Sequence, residues 1–232
     1  MHALMIAAGI GKGDEVIVPS FSFIATANAP VFVGATPVFA EIEKGTYGLD
    51  PVDVERKITK RTKAIIPVHY GGGSCRIAEL KKIAKRHKIL LLEDAAEALG
   101  AKEGKKYVGT FGDAGMFSFC APKVITVGEG GMIVTNSKVL YERMKLLRSH
   151  GRAETQNYFS TAEYMDYIQL GYNMRLSNIL AALGRTQLKK LNKIARLRRP
   201  KAAYLTNRLK KVEEIEVPYP PYDPSHLYQM YT

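Results

Sequence analysis

Ile89-Leu90-Leu91-Leu92-Glu93-Asp94-Ala95-Ala96-Glu97 is the stretch on which the fold turns. Four apolar residues without alternation suit a parallel strand whose sheet is covered on both faces. Two carboxylates follow at once, at the carboxyl end of that strand, where open α/β sheets bind ligands. Ala95 and Ala96 are small and leave room for a flat group to approach Asp94. Taken alone, Asp94 reads first as the cap of a following helix, its side chain accepting from the first free N–H groups.

Outward from this strand the pattern alternates. Ile77, Leu80, Ile83 and Ala84 share one face of a helix ending near His87. Asp50 to Ile58 reads as a short helix with its acidic residues near the start. Glu15–Pro19, Thr36–Ala40, Ala64–Val68, Met116–Phe119 and Met132–Thr135 read as strands. A helix then turns Leu140, Met144 and Leu147 inward and stops at Gly151. Strands alternating with helices predict a doubly wound α/β domain over roughly residues 1–150. Gly9, Gly11 and Gly13 precede a strand, whereas a dinucleotide loop must follow one, so that motif is rejected. Residues 152–170 read as a loop, and the four prolines from Pro218 to Pro224 as a boundary.

Composition narrows the class. With 232 residues, 46% hydrophobic and 24% charged, the chain is a folded protein and not a disordered one. No apolar run approaches the roughly 20 residues of a membrane span, and the opening Met1–Gly9 lacks the basic region of a signal peptide. Two cysteines, Cys75 and Cys120, are too few for a disulfide framework, and a reducing cytoplasm is expected. The five histidines are scattered without metal-ligand spacing, so no metal is expected, and no Gly-x-Ser-x-Gly elbow is present.

The net charge of +12 is local. Arg185 to Lys211 holds 11 of the 34 basic residues and no acid, which leaves 23 basic against 22 acidic elsewhere. Leu183, Leu188, Leu191, Ile194 and Leu197 give that stretch helical spacing, with Pro200 expected to kink or break it. It reads as a solvated helix with one buried face, or as an anion-facing one. No helix-turn-helix, zinc finger or aromatic RNA-binding pattern accompanies it.

The second chemical stretch is Phe117-Ser118-Phe119-Cys120-Ala121-Pro122-Lys123-Val124-Ile125-Thr126, followed by Gly128-Glu129-Gly130-Gly131. A lone lysine in an apolar segment between strands is either a surface-loop residue or a partly desolvated amine able to act as a nucleophile. A strand-end acid, such a lysine and a nearby hydroxyl are what pyridoxal phosphate chemistry requires. The lysine makes a Schiff base, and the acid keeps the pyridine nitrogen protonated.

These segments, in order with Gly11–Phe23, Gly34–Val38 and Gly171-Tyr172-Asn173-Met174-Arg175, closely resemble the DegT/DnrJ/StrS family of pyridoxal-phosphate-dependent sugar-nucleotide aminotransferases. The resemblance runs from Met1 to Thr232. It implies the large α/β domain of the aspartate aminotransferase-like fold (fold type I), residues 1–184. Residues 185–232 would be a connecting helix and an incomplete C-terminal α+β domain, with His226–Thr232 starting a strand. It implies that Lys123 carries the cofactor and shuttles the proton, and that Asp94 pairs with the pyridine nitrogen. Glu97 would stand near the phenolic oxygen, Ser118 would bind the phosphate and Phe23 would stack on the ring. Asn173 would reach the phosphate in the neighbouring subunit of a homodimer. The segment expected to precede Met1 carries a further phosphate-binding turn.

The implied reaction moves an amino group from glutamate or glutamine to a nucleotide-linked keto sugar. Two other readings stand beside it: a non-catalytic or regulatory protein on the same fold, and a DNA-binding protein with steeply salt-dependent retention. The glycine-heavy loop Gly71-Gly72-Gly73-Ser74-Cys75 departs from the family pattern and has no assigned substrate role.

Overall fold

The computed structural model describes residues 1–153, 166–218 and 225–232. The readings of 154–165 as loop and of 219–224 as boundary lie outside the described residues. In chain order the elements are α1 (His2–Ala7), β1 (Glu15–Pro19), α2 (Ala25–Val31), β2 (Thr36–Ala40), α3 (Pro51–Lys57) and β3 (Thr62–Ile65). There follow α4 (Ile77–His87), β4 (Leu90–Asp94), β5 (Lys102–Glu103), β6 (Lys106–Tyr107), β7 (Ala114–Ser118) and β8 (Gly131–Thr135). Three helices close the series: α5 (Lys138–Arg148), α6 (Asn178–Leu188) and α7 (Leu191–Leu209).

Six strands form one sheet in the order β2-β1-β3-β4-β7-β8, with β5 and β6 as a separate hairpin. Along β1, Val16 and Val18 pack into one core cluster and Ile17 into the other. Along β4, Leu91 and Leu92 divide in the same way. Successive side chains of a strand point to opposite faces, so a sheet covered on both sides shows an unbroken apolar run. α4 places Ile77, Leu80 and Ile83 on one face of the sheet, and α1 and α5 place Leu4, Met5, Leu140 and Leu147 on the other. The doubly wound α/β architecture is as the pattern predicts.

Four details differ from the sequence reading. β8 runs antiparallel to β7. No helix separates them, and a parallel return needs a crossover. No helix follows Asp94, so its carboxylate is not a helix cap. The basic stretch divides at Lys189–Lys190 into α6 and α7, and α7 continues through Pro200. A proline inside a helix costs about 3 kcal/mol, and here packing on both sides offsets it. Ala195 and Ala202 are buried, and Arg198 and Arg199 donate to the carbonyls of Tyr228 and His226. Finally, residues 226–232 form no strand; Leu227 N and Met230 N donate to the carbonyls of Gly72 and Gly71.

Glu93 faces away from the cavity side of β4 and anchors the 109–112 loop. Its carboxylate accepts from the backbone N–H of Gly109 (2.7 Å), Phe111 (2.6 Å) and Gly112 (2.6 Å). His69, with no exposed surface, lies 2.9 Å away through Nε2. His69 Nδ1 faces the Cys75 N–H, which leaves Nε2 to donate to Glu93. Gly115 lets the loop come this close; a Cβ there would meet the Gly109 carbonyl oxygen at 1.9 Å. Burial alone would raise the Glu93 pKa, but His69 and the Gly112 and Gly109 N–H groups outweigh it and hold it below the ordinary value. This contribution to stability is present above the unfolded-state pKa and is lost as pH falls through the folded one. Glu93→Gln keeps one acceptor oxygen and turns an NH2 group toward backbone donors. We expect urea melts to show a loss of about 2–4 kcal/mol at neutral pH, shrinking as the parent chain is acidified.

Candidate active site

The carboxyl ends of β4 and β7 are neighbours, with Asp94 registered against Met116. Asp94 closes β4 and Ser118 closes β7, so the sheet itself delivers an acid and a hydroxyl to one edge. Asp94 is 6% exposed. Its Oδ2 accepts from Thr26 Oγ1 at 2.9 Å and its Oδ1 from Ala96 N at 3.1 Å. Thr26 comes from α2 and is itself bonded to Ser22 Oγ at 2.9 Å. Burial pushes the Asp94 carboxyl above its ordinary pKa, against the Ala96 N–H and the Thr26 hydroxyl, which pull it down. A carboxylate in this state gains from an incoming cation.

Lys123 sits in the loop after β7, its N–H donating to the Cys120 carbonyl at 3.1 Å. Its side chain is 18% exposed, and Nζ lies 3.5 Å from Glu97 Oε1. The other oxygen of Glu97 accepts from Gly71 N at 3.0 Å. Ser118 Oγ accepts from Cys120 N at 3.4 Å. A cavity of about 650 Å3 is lined by Phe23, Thr26, Asp94, Glu97, Ser118 and Lys123. Phe23 is 76% exposed at its wall. Five of the six site residues read from the sequence therefore converge.

Asn173 stands apart. It is exposed, outside the cavity lining, and its Oδ1 accepts from Arg175 Nε at 3.1 Å. Thr26 and Tyr70, which also border the cavity, were not singled out from the sequence. Thr26 is one of many hydroxyls, and only the fold carries it to Asp94. Tyr70 belongs to an aromatic group with Phe21 and Tyr47, ring centroids 5.0 to 6.0 Å apart. The glycine loop acquires a structural reason as well. Gly72 has φ +101°, and a Cβ there would meet Gln229 N at 2.7 Å.

An amine beside a carboxylate, a buried acid and a hydroxyl in one cavity suit proton transfer around a bound cationic ring. Among the described residues no group of His, Cys, Asp and Glu could hold a metal ion. No described helix is long and apolar enough to cross a membrane. The whole chain, residues 1–232, matches the family model described as the DegT/DnrJ/EryC1/StrS aminotransferase family. The chain belongs to that family.

Within the family, the chain is 40% identical over 233 residues to GDP-perosamine synthase of Caulobacter vibrioides, covering 100% of this chain and 61% of that protein. The structure of Helicobacter pylori PseC, titled an aminotransferase involved in the biosynthesis of pseudoaminic acid, superposes with TM-score 0.87. The identity is 36%, over 99% of this chain and 61% of that one. A putative sugar aminotransferase from Streptococcus pneumoniae, in its PLP form, superposes with TM-score 0.87 at 26% identity, over 99% and 63% of the two chains. The chain spans about three-fifths of the length of these relatives. The fold is that of the aminotransferases, as expected.

The strained state of Asp94 gives a prediction. Asn can keep both contacts, accepting from Ala96 N and donating to the Thr26 hydroxyl, without a buried charge. A carboxyl whose pKa is raised on folding costs stability above its unfolded pKa and costs nothing well below it. Asp94→Asn should therefore unfold at a higher temperature than the parent at neutral pH without added ligand. The gap should close as pH falls through the carboxylate range.

Proposed function

We propose that the protein is a pyridoxal-phosphate-dependent aminotransferase acting on a nucleotide-linked keto sugar, in amino-sugar or polysaccharide biosynthesis. The observation that carries this reading is the convergence of Lys123, Asp94 and Ser118 on one cavity in a chain of this family. The cavity fits the cofactor. Asp94 is a buried carboxylate with its pKa raised by burial, and a protonated pyridine nitrogen would relieve it. Ser118 would hold the phosphate, Phe23 would cover a ring face and Glu97 would stand near the phenolic oxygen. When bound, pyridoxal phosphate supplies an electron sink that the twenty side chains lack.

The chain's own part is to bind, orient and move protons. Lys123 Nζ would hold the cofactor and, when free, would accept and return the proton at the substrate carbon. Glu97, 3.5 Å away, keeps Nζ oriented. Thr26 and Ala96 fix both oxygens of Asp94, so the acid meets its partner without reorganising. The amino donor would be glutamate or glutamine and the acceptor the keto sugar.

Residues 1–184 are proposed as the cofactor-binding large domain, and 185–232 as the connecting helix with part of a smaller C-terminal α+β domain. A homodimer with shared sites is supported by uncovered apolar side chains near the cavity mouth, Phe23, Ile24 and Phe32, and on α6, Ile179. Exposed Asn173 is free of the cavity in its own subunit and would serve the neighbour's. Free Cys75 and Cys120 support a cytoplasmic setting. A nucleic acid partner has no support beyond the charge of α7.

The test is amine transfer from glutamate to a panel of nucleotide-linked keto sugars, followed by mass spectrometry of the product. The parent should form an amino sugar, and Lys123→Ala should lose at least about 10⁴-fold in turnover. Undiminished turnover in the variant would remove Lys123 from its role. Asp94→Asn should weaken pyridoxal phosphate binding by about 30-fold or more, as for loss of one partner of a buried charge pair.

A further inference from the structure

Residues 226–230 touch the site at two separate points. Gln229 Nε2 donates to the carbonyl of Pro122 at 2.7 Å, one residue before Lys123. Met230 N donates to Gly71 O at 3.1 Å, and Gly71 N donates to Glu97 Oε2, whose other oxygen faces Lys123 Nζ. One short segment thus holds both the loop of the lysine and the turn that seats its carboxylate. The segment is itself fixed. Arg198 Nη1 donates to the carbonyls of Tyr228 at 2.8 Å and Gln229 at 3.2 Å, and Leu227 N to Gly72 O at 2.8 Å.

The contact to Pro122 is specific in direction. Proline has no N–H, so its carbonyl is the sole main-chain handle on that residue. The Gln229 amide cannot be turned over, because Oε1 would then face the carbonyl oxygen. In the only orientation left, Oε1 is buried without a hydrogen-bond partner. An unsatisfied buried acceptor costs free energy that a methionine of similar shape would not. Packing alone would be served as well by methionine, without that cost.

We propose that Gln229 is a positioning residue for Lys123, its amide holding the Pro122 carbonyl so that the lysine loop and Glu97 stay in register. This rests on the reading of Lys123 as the cofactor lysine. Gln229 reaches neither cofactor nor substrate in this role; it acts through the loop. Its amide is uncharged, so its loss alters geometry at Lys123 without altering the electrostatics of the cavity.

The experiment compares the parent chain with Gln229→Met and Gln229→Lys by titration with pyridoxal phosphate, followed by visible absorption, and by thermal melting without cofactor. Gln229→Met removes both the donor and the orphaned oxygen. It should melt no lower than the parent, yet form the lysine-linked visible band with an apparent Kd raised about fivefold, the loss of one neutral hydrogen bond. Gln229→Lys restores a donor to Pro122 and should recover most of the affinity. A methionine variant whose band and affinity match the parent's would overturn the proposal. So would one whose melting temperature falls in step with its affinity, since that is what a merely structural residue does. A parent chain that gives no lysine-linked band overturns the reading of Lys123 itself, and the proposal with it.

Discussion

Two neighbouring carboxylates must be buried at the end of one central strand, and the strand's alternation sends them to opposite sides. Glu93 turns toward the 109–112 loop and takes three backbone N–H groups and an imidazole, so its charge is satisfied within the chain. Asp94 turns toward the cavity and receives only a hydroxyl and one N–H, so its charge is not. The first acid binds the frame of the site together, and the second lines the cavity with its pKa raised by burial. Lys123, Glu97 and Ser118 line the same cavity as that second acid.

The same pair explains what could and could not be read from the sequence. The run Ile89–Leu92 followed by acids announced a doubly covered parallel strand with acids at its carboxyl end, and the structure has that strand. Lys123 stood out in the sequence because an apolar neighbourhood is an unusual place for an amine, and its role came from the family resemblance. His69 and Thr26 did not, because each lies far along the chain from the carboxylate it serves, 24 and 68 residues away. Local pattern carries strands, helices and strand ends; it does not carry which distant loop returns to them. The antiparallel β8 was hidden for the related reason that direction depends on the connection and not on the strand's own residues.

The failures of local rules are informative in their own right. Pro200 should have ended a helix, but Arg198 and Arg199 on the preceding turn grip residues 226–229, and burial of Ala195 and Ala202 brackets the proline. The basic excess between Arg185 and Lys211 is thereby partly structural, since two of its cations serve main-chain carbonyls. The glycines at 71–73 had no role that the sequence could assign. Two of them are small because the 226–229 segment lies against them, Gly72 under Gln229 and Gly73 under the His226 ring. Leu183 and Ile179 on α6 are exposed.

The proposed chemistry requires Lys123 to be the amine that takes the cofactor beside Asp94. Borohydride reduction of the chain equilibrated with pyridoxal phosphate, followed by peptide mass mapping, reads this out directly. One stoichiometric label on Lys123, suppressed in Asp94→Asn, is the result expected. A label scattered over the surface lysines, or fixed at a different lysine and indifferent to Asp94, would contradict it.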